Sequence, residues 1–287
     1  MTTHVVGIRY RNDERSPRES QGIVDEGIAT CAQLAGPIVV AEPDLPDDRR
    51  SGDRIANLGT YGGAIADAVA DGARRGDHVV VLGGNCTALP GVLGGLQDAF
   101  GPTARVGLIW FDAHGDFNTP RTTLSGMLGG MPVAVSAGLA YPAWRVGAHL
   151  AAPIPTDRIL MVDVRNLDPA EEQLIRATDV QIARVAPGFA GDLSLEEAVA
   201  DLAARCDYLY LHIDSDILDA SLTPNHGTKE PNGPGVAETV AAIETVLATG
   251  KVVAFALVSV NSAGPGGDVS LGAALDLLRG CLKRWKS

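Results

Sequence analysis

The chain has 287 residues, of which 46% are hydrophobic, and this content is sufficient to bury one sizeable core. Fibrous, collagen-like and disordered proteins are therefore excluded. Aspartate and glutamate outnumber lysine and arginine by 35 to 23, and the formal charge of -12 disfavours nucleic acids and anionic membranes as partners.

Short apolar runs alternate with longer segments in which apolar residues recur every three to four positions. In chain order, the apolar runs cover residues 5–8, 38–41, 78–82, 106–111, 159–162, 208–213 and 252–260. Runs that are apolar throughout are typical of strands covered on both faces, as in a parallel sheet. The segments between them have the helical period. This alternation predicts a three-layer α/β fold with a mainly parallel central sheet and helices on both faces.

The sequence contains no linker or internal repeat, and we interpret residues 1–287 as a single domain. The charged segment 11–21 predicts a mobile loop, and the Gly-, Thr- and Ser-rich segment 115–131 predicts a functional loop. The longest apolar stretch, 252–260, is far shorter than the roughly 20 residues that cross a bilayer. Residues 1–15 lack the apolar segment of a signal peptide, so we expect a cytoplasmic protein without a membrane partner.

Two of the predicted strands run directly into acidic motifs. Residues 106–111 are followed by DAHGD, and residues 208–213 are followed by DSD. In extended chain, a spacing of two places the acidic and histidine side chains of each motif on one side. Carboxylates gathered at the carboxyl ends of parallel strands repel each other unless cations lie among them. A single such motif also occurs as a helix cap, but two predict a dinuclear site for Mn(II) or a similar ion. Its candidate ligands are Asp112, His114, Asp116, Asp214 and Asp216.

Four motifs follow one another in the order found in one enzyme family. They are GGNC at 83–86, DAHGDFNTP at 112–120, SGMLGGMP at 125–132 and DSDILD at 214–219, with Gly227 and Thr228 after them. This set resembles the ureohydrolases, the family of arginases and agmatinases, over most of the chain. The resemblance implies an arginase-like α/β fold with two Mn(II) ions per chain, whose bridging hydroxide attacks a guanidinium carbon. It also implies that Asp112 and Asp214 bridge the ions. Asp116 would complete the shell of one ion, and His114 and Asp216 that of the other.

Three positions depart from the family pattern. Cys86 replaces a metal-binding histidine, Gly129 replaces a proton-carrying histidine, and Ser259 replaces a glutamate that binds the guanidinium group. A thiolate is a softer ligand than Mn(II) prefers, so Cys86 is either a metal ligand or a core residue at a site that has lost one ion. Loss of the proton carrier and of the carboxylate predicts that plain arginine is a poor substrate.

Other recognition residues of the family are present. Asn118, Thr123 and Ser125 match the positions that hold an α-carboxylate in arginases, and Asp168 matches the one that orients the α-amino group. Amide and hydroxyl donors suit a carboxylate, although Thr123 and Ser125 also fit a simple turn. The resemblance therefore implies a small amino-acid substrate, with Ser259 near its guanidine end.

The resemblance also implies catalytic positions. Asp116 would orient the hydroxide, and Thr228 would lie near the hydroxide or the guanidine. His226 lies beside this segment and is a candidate to replace the missing proton carrier, although loop histidines are commonly only solvated. His212, two residues before Asp214, is interpreted as a core residue or a support for the metal ligands.

The three replacements favour a substrate whose guanidine is less basic than that of arginine. An N-hydroxyguanidine needs less help from a carboxylate and carries its own exchangeable proton. The predicted activity is hydrolysis of N-omega-hydroxy-L-arginine to hydroxyurea and L-ornithine, which resembles the ureohydrolase step of D-cycloserine antibiotic biosynthesis. Two alternatives stay open: an arginase or other guanidino-acid ureohydrolase, and a catalytically silent binding protein of the same fold. The acidic composition favours a monomer, with an oligomer left open.

Overall fold

The computed structural model describes residues 2–186 and 193–285, which contain ten strands. These are β1 (Thr3–Ile8), β2 (Tyr10–Arg11), β3 (Glu14–Arg15), β4 (Ile38–Ala41), β5 (His78–Gly83), β6 (Val106–Phe111), β7 (Ile159–Val162), β8 (Gln181–Ala183), β9 (Tyr208–Asp214) and β10 (Val252–Val258). Eight of them form one sheet in the order β4-β1-β5-β10-β9-β6-β7-β8, and all neighbours in it run parallel. The fully parallel sheet confirms the predicted arrangement of strands.

Nine α-helices occur in the same described residues. They are α1 (Pro17–Leu34), α2 (Arg54–Arg74), α3 (Leu89–Phe100), α4 (Pro132–Ser136), α5 (Pro142–Gly147), α6 (Pro169–Arg176), α7 (Leu195–Arg205), α8 (Val236–Leu247) and α9 (Gly267–Arg284). Helices α1, α7, α8 and α9 pack on one face of the sheet, whereas α2 and α3 cover the other. The structure is therefore the predicted three-layer α/β fold. None of these helices is both long enough and apolar enough to cross a membrane.

The two faces of the sheet belong to two separate apolar clusters. On β6, Ile109 and Phe111 pack into one cluster, while Leu108 and Trp110 pack into the other. Successive side chains of a strand point to opposite faces, so a strand between two helical layers must be apolar at every position. All six residues of β6 are buried. This burial explains why the strands appear in the sequence as continuous apolar runs.

Four adjacent strands deliver the site residues to one edge of the sheet. Strands β5, β10, β9 and β6 are neighbours in that order. Their carboxyl ends lead to Cys86, Ser259, Asp214 and Asp112 respectively. The register pairs Val258 with Asp214, so Ser259 comes directly after the residue opposite Asp214. The strand order thus decides which functional side chains meet, because the four segments are far apart in the chain.

The prediction of a mobile loop over residues 11–21 is wrong. Strands β2 and β3 form a small antiparallel hairpin there, and α1 follows it directly. The hairpin turn is fixed by polar contacts: Asn57 Nδ2 donates to the buried carboxylate of Asp13 at 3.1 Å, and the Asn12 N–H donates to Asn85 Oδ1 at 3.2 Å. The charged residues of this segment indicate a solvated loop in the sequence, but one of them, Asp13, anchors the hairpin to Asn57.

Candidate metal centre and substrate cavity

A cavity of about 450 Å³ opens at the carboxyl ends of the central strands. It brings together most of the side chains singled out in the sequence: Cys86, His114, Asp116, Asn118, Ser125, Gly129, Asp168, Asp214, His226, Thr228 and Ser259. Asp112 and Asp216 are buried and contact these residues directly. The segment 115–131 contributes to the cavity wall, which agrees with its expected role as a functional loop.

Backbone N–H groups hold the acidic motifs in place. The His114 N–H donates to Asp112 Oδ1 at 2.7 Å, and the Asp216 N–H donates to Asp214 Oδ1 at 3.0 Å. The Ala113 N–H donates to Asp216 Oδ1 at 3.3 Å and joins the two motifs. Each of these three carboxylates thus has Oδ1 held by a backbone N–H, while its Oδ2 contacts other side chains of the cluster. This arrangement suits metal ligation, which requires oriented carboxylates.

His114 lies between two of these carboxylates. Its Nδ1 is 3.4 Å from Asp112 Oδ1 and 3.1 Å from Asp216 Oδ2. Burial alone would lower the pKa of His114, but its hydrogen bonds with Asp112 and Asp216 outweigh burial and raise the pKa to about 12. Without a cation the ring is therefore protonated between the two carboxylates, and a metal ion bound there would take the place of that proton.

Cys86 lies at the edge of one apolar cluster, and its sulfur contacts the carboxylates. Its Sγ is 2.9 Å from Asp214 Oδ2 and 3.7 Å from Asp112 Oδ2. Burial, followed by the charges of Asp214, Asp116 and Asp112, raises the pKa of the thiol well above its usual value. Without a cation, the protein therefore favours the protonated thiol. A divalent ion between the sulfur and the carboxylates would reverse this preference, because thiols bind metals as thiolates.

His226 also belongs to the cluster. Its Nε2 is 3.4 Å from Asp214 Oδ1, and its Nδ1 is 3.5 Å from Asp216 Oδ2. The Thr228 N–H donates to Nδ1 at 3.2 Å, which places the proton of the neutral ring on Nε2. The Thr228 hydroxyl donates to Asp216 Oδ2 at 3.2 Å. Both residues thus face the carboxylates, and His226 is buried, unlike the solvated loop histidine considered as its alternative.

Ser259 contacts a candidate metal ligand as well as lining the cavity. Its hydroxyl donates to Asp214 Oδ2 at 2.5 Å. The sequence predicts only a substrate contact for this residue, because it occupies the position of a guanidinium-binding glutamate. A match between motifs shows that serine replaces glutamate here, but it does not show which group the shorter side chain contacts. The Ser259 hydroxyl reaches the carboxylate at the end of the neighbouring strand.

The expected carboxylate-binding residues form a local hydrogen-bonded network. Asn118 Nδ2 donates to Asp168 Oδ2 at 3.2 Å, and the Leu124 N–H donates to the same oxygen at 3.0 Å. Thr123 Oγ1 accepts from the Gly126 N–H at 3.0 Å, so Thr123 shapes a turn as in its alternative interpretation. Ser125 lines the cavity, and Thr123 is not among the described residues that do so.

Several cavity residues are missed by the sequence reasoning. Glu171 is buried and accepts from the Phe117 N–H at 2.8 Å and from the Asp168 N–H at 3.2 Å. The acidic residue three positions after Asp168, at the start of a helix, is a capping signal that could have identified it. Arg11 and Lys229 add positive charge to the cavity wall. They come from the hairpin and from a loop, and no motif marks either residue.

His212 supports the site from within the core. Its ring stacks on Trp110 with a centroid distance of 4.2 Å, and its Nδ1 lies 2.8 Å from the Tyr210 hydroxyl. Burial lowers the pKa of His212 to about 3, so the ring is neutral. Its interpretation as a core or supporting residue is confirmed.

The donor set fits two divalent cations. Within the site, three groups have all their ligand atoms within 4.8 Å of one another: Cys86 with Asp112 and Asp116, Asp112 with His114 and Asp216, and Asp214 with Asp216 and His226. Asp112 is shared by the first two groups and Asp216 by the last two, whereas Asp214, the other expected bridging ligand, belongs to one group. Burial and then the charges of Asp216, Asp214 and Asp116 raise the pKa of Asp112 well above its usual range. Carboxylates crowded in this way are compensated by cations.

Comparison with known proteins agrees with this geometry. The model of the arginase family matches residues 8–281. The chain belongs to the arginase family. It is 32% identical over 213 residues to the arginase of Bacillus caldovelox, an alignment that covers 72% of this chain and 70% of that protein.

Solved structures extend the likeness to the whole fold. The native structure of Bacillus caldovelox arginase superposes with a TM-score of 0.80 at 25% identity and covers 99% of this chain and 98% of its own. An Entamoeba histolytica arginase in complex with L-ornithine has a TM-score of 0.83 at 18% identity and covers 98% of this chain and 97% of its own. The chain is therefore a metal-dependent ureohydrolase, a hydrolase of C–N bonds, with the arginase-like fold.

Proposed function

We propose that this ureohydrolase is a dinuclear manganese amidinohydrolase that hydrolyses N-omega-hydroxy-L-arginine to hydroxyurea and L-ornithine. We further propose that it is a cytoplasmic monomer that acts in D-cycloserine antibiotic biosynthesis. One observation carries the choice of substrate. At the end of β10 the cavity presents the neutral hydroxyl of Ser259, already directed at Asp214, where arginases would present a carboxylate to a guanidinium cation.

The metal ions would be held by residues from three strand ends. Cys86, Asp112, Asp116 and Asp214 would hold one ion, and Asp112, His114, Asp214 and Asp216 would hold the other. The predominance of carboxylate oxygens with one imidazole suits Mn(II), while the thiol is a softer ligand that this ion tolerates less well. When bound, two such ions lower the pKa of water to supply a nucleophile at neutral pH.

The protein itself would orient the amino-acid end of the substrate. The carboxylate of Asp168 lies at the cavity wall and suits an α-ammonium group. The Ser125 hydroxyl and the Asn118 amide supply neutral contacts for the α-carboxylate, and the cations Arg11 and Lys229 offset the many acidic residues around it. An amino acid is therefore favoured over a diamine or a decarboxylated guanidine.

At the other end of the substrate, His226 is the candidate to hold a proton. Its Nε2 carries the ring hydrogen and faces the carboxylates, while Nδ1 is kept as an acceptor by the Thr228 N–H. Asp116, whose carboxylate lines the cavity, would orient the attacking oxygen. Because Gly129 carries no side chain, proton transfer to the leaving nitrogen would depend on His226 and on the N-hydroxyl group of the substrate itself.

The proposal predicts a strong preference between two closely related substrates. Manganese-loaded protein is expected to release ornithine from N-omega-hydroxy-L-arginine with a kcat/KM at least about 100-fold higher than from L-arginine. The missing carboxylate contact alone is worth about 1.5–3 kcal/mol, which is roughly ten- to a hundredfold, and the missing proton carrier adds to it. Equal or better turnover of L-arginine would identify an arginase instead, and turnover of neither would contradict the proposal.

Replacement of His226 by asparagine is expected to lower kcat by about 10²- to 10⁴-fold, the range for loss of a general acid or base. Asparagine keeps an acceptor for the Thr228 N–H but cannot carry a proton between partners. The measurement is ornithine release at equal metal content, which separates proton transfer from ion loss. His149→Asn is the matched control, because His149 lies at the surface against Asp98. Undiminished turnover by His226→Asn would show that His226 does not transfer a proton in the reaction.

A further inference from the structure

We propose that Asn85 is a specificity-determining residue whose side-chain amide donates a hydrogen bond to the N-hydroxyl oxygen of the substrate. The inference rests on the proposed function and adds to it the group that distinguishes a hydroxylated guanidine from a plain one. Asn85 lines the cavity and directly precedes Cys86, whose sulfur contacts the carboxylates of the cluster. Its amide therefore lies at the end of the cavity where the reacting group of the substrate would bind.

Hydrogen bonds fix the orientation of the Asn85 amide. Its oxygen, Oδ1, accepts from the Asn12 N–H at 3.2 Å and from the Thr87 hydroxyl at 2.7 Å. A backbone N–H can only donate, so an amide turned by 180° would set its nitrogen against a donor. The nitrogen, Nδ2, donates one hydrogen to Asn12 Oδ1 at 3.1 Å. These contacts together determine which atom of the amide is the nitrogen and which is the oxygen.

The partner residue Asn12 is itself held in place. It lies in the turn of the hairpin with a φ of 55°, a left-handed conformation that asparagine adopts more readily than most residues. The next residue, Asp13, is buried and accepts from Asn57 Nδ2 and from Arg54 Nε, each at 3.1 Å. The reciprocal hydrogen bonds between Asn12 and Asn85 therefore join an anchored hairpin to the segment after β5 and keep the amide from turning.

One amide hydrogen of Asn85 can reach a molecule bound in the cavity. A side-chain amide has two N–H donors, and Asn12 is the one acceptor of this amide among residues 2–186 and 193–285. Gly129 lines the same cavity, and a Cβ built on it would lie 3.6 Å from Asn85 Nδ2, with no other described atom outside the neighbouring residues within 4 Å. The amide nitrogen therefore borders the cavity on the side of Gly129.

A neutral N–H donor at this place suits an oxygen on the guanidine. A guanidinium group has N–H donors and no acceptor, so beside L-arginine the Asn85 N–H would face another donor. The hydroxyl oxygen of an N-hydroxyguanidine accepts, and its own proton remains free for transfer to the leaving nitrogen. A site that donates to a substrate oxygen discriminates against the analogue without it, because the donor is then left unpaired.

Two substitutions of Asn85 remove the donor in different ways. Asn85→Asp keeps an oxygen for the Asn12 N–H and the Thr87 hydroxyl but replaces the donor with an acceptor. Asn85→Ala removes the donor without adding charge. The ratio of kcat/KM for N-omega-hydroxy-L-arginine to that for L-arginine, measured at equal metal content, is expected to fall about tenfold in both variants, the size of one lost hydrogen bond.

Hydroxyurea and urea differ by the same hydroxyl group and give a second readout that needs no turnover. Their dissociation constants are measured by calorimetry with manganese-loaded protein. The natural chain is expected to bind hydroxyurea about tenfold more tightly than urea, and either Asn85 variant should bind the two with similar affinity. Asn232→Asp is the matched control, because Asn232 is exposed and is not among the described residues that line the cavity. It should change neither ratio.

Three outcomes would overturn the inference. An unchanged substrate ratio in both Asn85 variants would show that the amide does not determine specificity, even though the proposed function stands. A fall in Asn85→Asp alone would assign the effect to the added charge. Equal affinities of the natural chain for hydroxyurea and urea would show that the cavity does not recognise the hydroxyl group. Equal turnover of the two amino acids by the natural chain would instead refute the proposed function, and the inference with it.

Discussion

Asp112→Asn is expected to make this protein more stable than the natural chain without divalent metal and less stable with it. The substitution keeps an oxygen that accepts from the His114 N–H but removes a buried negative charge. In metal-free protein the variant should be more stable than the natural chain, because burial and the neighbouring carboxylates Asp216, Asp214 and Asp116 raise the pKa of Asp112 and so disfavour its charged form. With metal present, the order should invert.

The inversion follows from mass action. An ion that binds the folded state at a hundred times its dissociation constant adds about 2.7 kcal/mol per site. The natural chain gains this stabilisation, whereas the variant lacks a ligand shared by two of the ligand groups and should bind metal more than about 100-fold more weakly. Ornithine release should fall at least as far.

Urea unfolding with and without Mn(II) measures both effects, alongside metal content per chain. Asp276→Asn removes a surface carboxylate that contacts Arg279, and it is expected to change stability by no more than about 1 kcal/mol in either condition. If metal-free Asp112→Asn were less stable than the natural chain, repulsion among the buried carboxylates would not destabilise the metal-free protein. That result would argue against a site that binds cations.

Gly129→His is expected to raise hydrolysis of L-arginine by about 10²-fold or more in kcat. Gly129 lines the cavity, and an added Cβ would meet only Asn85 Nδ2 at 3.6 Å, which is ordinary contact. The position therefore has room for the histidine that ureohydrolases carry there. Because Ser259 still offers no carboxylate to the guanidinium group, we expect the gain in kcat and not in KM.

A neighbouring glycine provides the control for this substitution. Gly130 also lines the cavity, and its added Cβ would approach only Asp116 Oδ1, at 4.0 Å. Gly130→His introduces the same side chain one position along the turn, where it should not restore proton transfer to the leaving nitrogen. Turnover of N-omega-hydroxy-L-arginine should change less than about tenfold in Gly129→His, because that substrate supplies its own proton. An equal gain with both substrates would indicate that proton supply does not determine specificity.

Much of the candidate site can be predicted from the sequence because its candidate metal ligands directly follow strands. A strand covered on both faces is apolar at every position, so its end is visible where DAHGD and DSD begin. Cys86, Gly129 and Ser259 are visible as departures from a family pattern. The structure places Asp112, His114, Asp116, Asp214 and Asp216 in one cluster with Cys86.

The contacts made by individual cavity residues could not be predicted in the same way. The hairpin that carries Arg11 has strands of two residues each, too short for any periodic signal, and it depends on the distant anchors Asn57 and Asn85. Thr123 matches a substrate-binding position, yet its hydroxyl is used within its own turn. These hydrogen bonds depend on which partner lies close enough in the folded protein, and the neighbouring residues in the sequence do not determine that distance.

The sequence by itself determined the layer architecture, the strand ends that carry the candidate metal ligands and the chemical types of those side chains, since each depends on residues adjacent in the chain. The tertiary structure alone decided that β10 lies between β5 and β9. This order places Ser259 on Asp214 and Asp214 against Cys86, across separations of 45 and 128 residues. Strand order results from packing helices on both faces of the whole sheet, so it is a property of the assembled core and of no single segment.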